Sequence, residues 1–293
     1  MGYNVRMSLI YDLHTHSTAS DGTTSPKMLV QHAVDAGLDV LALTDHDTTQ
    51  GLAEAATEAA SAGLGFCPGI EVSASWNAHV VHVVGLGIDS GCQVLQDGLI
   101  ELRNFRNWRA EEMGRRLEKV GISGAFEGAK AFSSGQLIGR CHFARFLVKN
   151  GHVEDERKVF QRFLTKGNPG YVPGKWAALE DAVAWIRAAG GQAVIAHPAR
   201  YPLTRTKLRR LLAEFIEAGG AGLEVVSSSH SRDENFNMAR HARELGLLAS
   251  TGSDYHGPEN PWRKLGRFAP LPDGCTPIWH DWALPALPNA ASA

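Results

Sequence analysis

Long apolar runs are missing from this sequence: its strand-like runs are short and end in polar residues, so no membrane-spanning segment is expected. Cysteine is scarce. The four present, Cys67, Cys92, Cys141 and Cys275, show no C-x-x-C spacing, and nothing at the N-terminus joins a basic stretch to an apolar run and a cleavage site. A cytoplasmic protein with reduced thiols and no membrane role is the expectation. Internal repeats and low-complexity tracts are also lacking. An ordinary apolar fraction, 44% over 293 residues, is enough for a substantial core in one large barrel or two average domains.

Net charge is small as well, −2, which argues against a general nucleic-acid coat. The total hides an uneven distribution. Residues 98–175 carry fifteen Lys/Arg against eight Asp/Glu, about +7, which leaves about −9 for the rest of the chain. A basic insert sits in an acidic body.

Seven short apolar runs read as strands: Leu9 to Leu13, Val40 to Leu43, Phe66 to Ile70, Val80 to Val84, Ala193 to Ala196, Leu223 to Val226 and Leu247 to Ser250. Most are followed by a helical pattern. Ser25-Pro26 places an N-cap before a proline at the first helical position, and that helix stops at Gly37. Helical segments ending at Gly190-Gly191 and at Gly246 each precede another strand. The alternation predicts an α/β fold, a parallel sheet closed or nearly closed into a barrel and covered by helices. It breaks between Gln93 and about Lys175, where Leu95, Leu99, Leu102, Phe105, Arg109 and Met113 mark a long amphipathic helix. The expected organisation is a discontinuous barrel over 8–92 and 176–270, a mainly helical basic insert over 93–175 covering the site, and a proline-punctuated surface tail over 271–293 (Pro272, Pro277, Pro285, Pro288).

The chemistry gathers at strand ends. His14 and His16 form an H-x-H pair whose side chains point the same way on an extended segment. Asp21 follows in a turn, Thr44-Asp45-His46-Asp47 after the second strand, and Glu71 after the third. The fourth strand carries His82, the fifth precedes His197, and the seventh precedes Asp254-Tyr255-His256. In a parallel barrel these ends share one face, where barrel enzymes keep their chemistry. Burying so many imidazoles and carboxylates without cations costs several kcal/mol per ion, so clustered divalent metals are implied. Mixed imidazole and carboxylate ligands suit Mn²⁺, Zn²⁺ or Fe²⁺, and the absence of cysteine from the set excludes a closed thiolate zinc site. Asp45 and Asp47 flank His46 and could orient an imidazole instead of binding metal. Glu224 and His230 are open between the barrel interior and the substrate; His32, His79, His152, His241 and His280 lie off the pattern.

In this order, D-L-H-T-H-S, S-D-G, T-D-H-D, G-I-E, H-V-V-G, A-H-P and S-D-Y-H resemble the signature of the PHP family, the polymerase and histidinol phosphatase group of metal-dependent phosphoesterases. The resemblance spans most of the chain. It implies a distorted (β/α)7 barrel with two or three divalent ions, manganese first and zinc or iron as alternatives. The implied ligands are His14, His16, Asp21, His46, Glu71, His82, His197, Asp254 and His256. Carried over, Glu71 bridges two ions and Asp254 is a terminal carboxylate beside a bridging hydroxide that attacks phosphorus in line; His230 joins them as a candidate catalytic residue.

Within the insert, Ile138 to Arg145 and Gly167 to Pro173 are similar to the branch holding bacterial 3′,5′-nucleotide bisphosphate phosphatases and a related 5′-to-3′ exoribonuclease, with Cys141 where proline is common. That resemblance implies a bisphosphorylated nucleotide or a short 5′-phosphorylated oligonucleotide as substrate; no obligate protein partner is evident in the sequence. Arg140, Arg145 and Lys175 are candidates to grip the uncleaved phosphate, and His142 and His230 to contact phosphate or sugar. Trp108, Trp176, Phe143 and Phe146 could offer a face to a base. The alternatives are a histidinol-phosphate-type monoesterase on the same barrel, and a non-catalytic, metal-stabilised nucleic-acid-binding or regulatory module.

Overall fold

In the computed structural model the described residues are 9–133 and 137–282, so Pro285, Pro288 and residue 8 of the expected barrel lie outside them. The chain runs β1 (Tyr11–Asp12), α1 (Pro26–Asp35), β2 (Val40–Leu43), α2 (Leu52–Ala62), β3 (Gly65–Trp76) and β4 (His79–Leu86). A helical stretch follows: α3 (Gln93–Glu118), α4 (Ala125–Lys130), α5 (Arg140–Lys149) and α6 (Glu156–Val159). The chain then returns through β5 (Ala177–Ala178), α7 (Leu179–Ala188), β6 (Gln192–Ile195), α8 (Arg205–Glu217), β7 (Gly222–Ser227), α9 (Arg232–Leu245) and β8 (Leu248–Gly252).

Strands pair in the order β1-β2-β3-β4-β6-β7-β8, with the short β5 beside β3. The ring nearly closes where Leu13 N–H donates to Thr251 O at 3.0 Å and Thr15 bridges Tyr255. The fold is thus a nearly closed α/β barrel. Alternate residues of each strand supply two cores: Leu41 and Leu43 pack outward under the helices, while Val40, Ala42, Val84 and Val194 fill the interior. The helical stretch carries a third core, with Met113, Leu117, Phe143, Leu147 and Leu164 fully or almost fully buried. Helix α3 bridges two of them, because Leu95, Leu99 and Leu102 pack on the barrel and Met113 and Leu117 on the third core.

Two departures from the sequence reading are physical. The third and fourth strands, expected as members of a parallel sheet, form one antiparallel hairpin from Gly69–Leu86 to Trp76–His79, and β4 is also antiparallel to β6. Its turn is Asn77-Ala78, both at positive φ, as a two-residue hairpin matching strand twist requires. Because Ala is uncommon there, the sequence hides the turn. The tail also departs from a purely surface course. Pro277 bridges Ala249, Ile278 is fully buried among the interior strand residues, and Trp279 stacks on Tyr11 at 4.2 Å. Among the described residues no helix is long and apolar enough to cross a membrane.

Ile278 therefore closes one end of the barrel interior. Ile278→Ala should destabilise the fold by about 2–5 kcal/mol in urea unfolding; a loss below roughly 0.5 kcal/mol would show that the tail merely rests on the surface.

Candidate active site

Strand ends turn sharply at the site. Asp47, His197 and Asp254 all hold positive φ, a conformation costly for residues with a Cβ and kept only where surrounding structure enforces it. At their convergence Glu71 is completely buried, and its two oxygens face different imidazoles. Oε2 lies 3.3 Å from His14 Nε2, 3.3 Å from His16 Nε2 and 2.9 Å from His46 Nδ1. Oε1 lies 2.9 Å from His82 Nδ1 and 3.1 Å from His197 Nε2. Asp254 Oδ1 stands 3.4 Å from His16 Nε2, and Asp21 Oδ1 stands 3.3 Å from His256 Nε2. All nine residues expected from the sequence are thus brought together. His82 arrives differently from the rest: it projects from the middle of β4, opposite Ser73, and not from a strand end.

The donor set fits divalent cations. His14 Nε2, both ring nitrogens of His16, His46 Nδ1 and Glu71 Oε2 are buried without a hydrogen bond. Unsatisfied buried groups of this kind call for a bound partner, and mixed imidazole and carboxylate donors suit a cation. Four overlapping groups have ligand atoms within 4.8 Å of one another: His16, Asp21, His46, His256; His14, Glu71, His197; His14, His16, Asp254; and His46, Glu71, His82. Because members are shared, neighbouring ions would share ligands. Burial alone would raise the Glu71 carboxyl, yet His46, His14 and His82 outweigh it and hold the carboxyl well below its usual range. At His197 burial wins and pulls the imidazole down to about 4, leaving it neutral, the form that donates a lone pair.

A second layer holds these groups. Glu224 Oε2 accepts from the His197 backbone N–H and lies 3.3 Å from His14 Nδ1, which points the other ring nitrogen of His14 at Glu71. Asp45 accepts from Ser17 N–H at 2.8 Å and from the hydroxyls of Ser17 and Ser20, each at 2.6 Å, so it orders the loop bearing Asp21. Asp47 accepts from Ser73 N–H at 2.7 Å and pairs with Arg106. The other oxygen of Asp254 is held by Arg200 at 2.7 Å and Arg263 at 2.8 Å.

Above the cluster lies a cavity of about 370 Å³ whose lining includes Arg106, Arg109, Arg140, Arg145, Arg200 and Arg263. Arg140 and Arg145 were expected there; the other four were missed. Helical phase offers the signal that could have found two of them, since Arg106 and Arg109 are three apart on α3. Trp176 lines the same cavity and lies under both guanidiniums, 4.9 Å from Arg106 and 5.5 Å from Arg109. Arg109 is 7% exposed, and burial, then Arg140 and Arg106, pull its pKa down to about 9. Neither Arg109 nor Arg140 has a carboxylate partner among the described residues. Arg109 instead donates to Val172 O at 3.0 Å, and Arg140 sits over the Phe160 ring at 5.6 Å.

Other expected contacts lie elsewhere. His142 is buried and accepts the Gly139 N–H at 2.9 Å, capping its own helix where glycine offers no side chain to do so. Lys175 is exposed between Gly174 and Trp176 and does not line the cavity. Phe143 is core of the helical stretch, Phe146 packs against that core, and Trp108 points outward at 54% exposure. His230 takes the Ala199 N–H at 3.4 Å beside the cluster and does not line the cavity.

Comparison with known proteins places these features. The PHP domain family matches residues 12–227. The chain is 51% identical over 271 residues to the 3′,5′-nucleoside bisphosphate phosphatase of Chromobacterium violaceum, covering 92% of this chain and 95% of that one. It is 43% identical over 280 residues to the 5′-3′ exoribonuclease Rnm of Escherichia coli, covering 95% of each. A solved Chromobacterium violaceum structure, described as an amidohydrolase with bound sulfate and no metal, superposes with a TM-score of 0.89 at 50% identity, covering 92% of this chain and 94% of that one.

The capping role of His142 gives a pH signature. Burial holds its pKa at about 4, whereas in the unfolded chain it titrates near 6.5. Below about 6.5 the unfolded state takes a proton that the folded state refuses, so stability falls as pH drops toward 4. Between roughly pH 6 and 4.5 this one group should contribute a slope of about 1.4 kcal/mol per pH unit. Urea midpoints of the wild type and His142→Gln across that window measure it; parallel slopes would rule the coupling out.

Proposed function

The chain belongs to the PHP domain family, and from that premise we propose that it is a metal-dependent phosphoric ester hydrolase acting on the 3′-phosphate of 3′,5′-bisphosphorylated nucleotides and on the 5′ end of short RNAs. One juxtaposition carries the reading: an imidazole–carboxylate cluster and two arginines without carboxylate partners face a single cavity. The first half suits phosphoester hydrolysis. The second suits an anion that is held but not cleaved.

His14, His16, Asp21, His46, Glu71, His82, His197, Asp254 and His256 would hold two or three divalent ions, manganese being the first choice. When bound, such ions supply Lewis acidity, activating water at neutral pH and offsetting charge on the phosphoryl oxygens. The protein's own groups do the rest. Glu224 fixes the His14 ring, and Arg200 and Arg263 keep Asp254 ionised and oriented. Arg109 and Arg140, set on the rings of Trp176 and Phe160, grip the 5′-phosphate of the substrate.

Bond chemistry unites the two substrates. Losing the 3′-phosphate from a bisphosphate, and releasing a 5′-nucleotide from a 5′-phosphorylated RNA, both break the bond between phosphorus and the 3′-oxygen of the first nucleoside. The 5′-phosphate is the constant element, which explains a grip separate from the cluster.

Metal analysis paired with phosphate release tests the centre. Glu71→Gln should lose at least one ion per chain and cut kcat/KM on 3′-phosphoadenosine 5′-phosphate on the order of a thousandfold, about 4 kcal/mol of transition-state stabilisation; full activity with full metal content would refute the reading, as would turnover of histidinol phosphate alone by the wild type. The grip has its own test. Arg140→Ala should reduce kcat/KM about 10- to 100-fold on the bisphosphate and leave a 3′-monophosphate, which lacks the gripped group, within about twofold. Equal losses on both substrates would overturn that assignment.

A further inference from the structure

The loop after β8 shapes a second hollow, of about 470 Å³, beside the cavity. Asn260 and Arg263 line both, so the two spaces are neighbours across these two side chains. The hollow is lined by apolar groups such as Pro261 and Leu265 together with Arg263, Lys264 and Arg267. Lys264 and Arg267 are exposed and have no ion pair among the described residues. Its lining has one carboxylate, Asp35; nearby, Glu259 accepts the Thr23 hydroxyl at 2.8 Å. Trp262, in the same loop, lines the first cavity with 72% of its surface exposed, so a large indole is open to solvent between Pro261 and Arg263 in the chain.

We infer that this loop, Trp262 to Arg267, is the track along which single-stranded RNA leaves the site on the 3′ side of the cleaved phosphate. The inference rests on the proposed reaction and extends it. A bisphosphate ends at its 3′-phosphate and needs nothing beyond. In an RNA the same phosphorus carries the rest of the strand, which must leave through an open side of the cavity. The hollow that shares Asn260 and Arg263 with the cavity lies on such a side, and the surfaces along this loop match the polymer: free cations for phosphates, an exposed indole for a base, and apolar groups for sugar and base faces. Small size and an open mouth favour a flexible single strand over a duplex.

The test is the double variant Lys264→Gln/Arg267→Gln in the full, metal-loaded chain, with an RNA octamer bearing a 5′-phosphate and 3′-phosphoadenosine 5′-phosphate as paired substrates. The octamer should lose about tenfold or more in kcat/KM, and the bisphosphate should stay within about twofold. In anisotropy titrations of a 3′-labelled octamer against metal-depleted protein, the slope of log K against log salt should weaken by about 1.4, for two lost phosphate contacts. Unchanged octamer binding and turnover, or equal losses on both substrates, overturns the track. So does a dimer in light scattering that the variant dissociates while RNA affinity holds, which would assign the hollow to a second copy of the chain. Because the titration needs no turnover, it decides the track even if the wild type releases no phosphate from the bisphosphate, the result that would sink the proposed reaction instead.

Discussion

One buried carboxylate organises this molecule. Glu71 has no exposed surface and sits within 3.3 Å of nitrogens from five imidazoles, contributed by β4 and by three separate strand exits. Such an arrangement cannot be left to solvent or to a chance rotamer. Removing these groups from water costs several kcal/mol per ion, which the fold must recover through opposite charge and fixed geometry. Other features of the top face follow from that need. The positive-φ turns at Asp47, His197 and Asp254 aim backbone and side chains inward, and Asp45, Asp47 and Glu224 lock the loops and rings that do the aiming.

The nine-residue pattern was legible because strand ends are legible. Short apolar runs followed by polar His and Asp announce both the barrel and the face on which its chemistry converges, and Ser25-Pro26 and Gly246 bound their helices as read. What escaped the sequence depends on three-dimensional pairing. An Asn-Ala turn carries too weak a signal to announce a hairpin, so β4 was given the wrong direction while His82 still reached the cluster. Arg200 ends a single 3-10 turn and Arg263 lies in a turn-rich loop, both too short for periodicity to report direction, and Arg106 and Arg109 sit in a helix rich in other arginines. His142 misled for the opposite reason: its neighbours resemble a binding motif, while the bare N-terminus of α5 takes the imidazole for itself.

Charge is partitioned by role. The barrel supplies the carboxylates and imidazoles, and α3 and α5 supply four of the six guanidiniums at the cavity, so a whole-chain charge of −2 conceals two opposite fields meeting at one place. Aromatic support is what keeps the guanidiniums usable. An arginine neutralised by a carboxylate has little left for a ligand, but Arg109 on Trp176 and Arg140 on Phe160 are held in orientation with no carboxylate partner among the described residues.

The helical stretch must therefore be placed to within a fraction of an ångström of the barrel, and α3 achieves this by belonging to both. At Gly98 its backbone comes so close to the Trp185 ring of α7 that a Cβ would sit 2.5 Å from it, and the next turns bury Leu99 and Leu102 on the same core. Farther along, Met113 and Leu117 anchor the third core. Arg106 and Arg109 lie between those two anchorages, and Arg106 is tied directly to Asp47 beside the cluster. A rigid helix spanning two cores turns the distance between the arginine grip and the imidazole cluster into a fixed length. In the proposed reaction a fixed spacing of this kind is what would let one phosphate be held while the bond at another is broken.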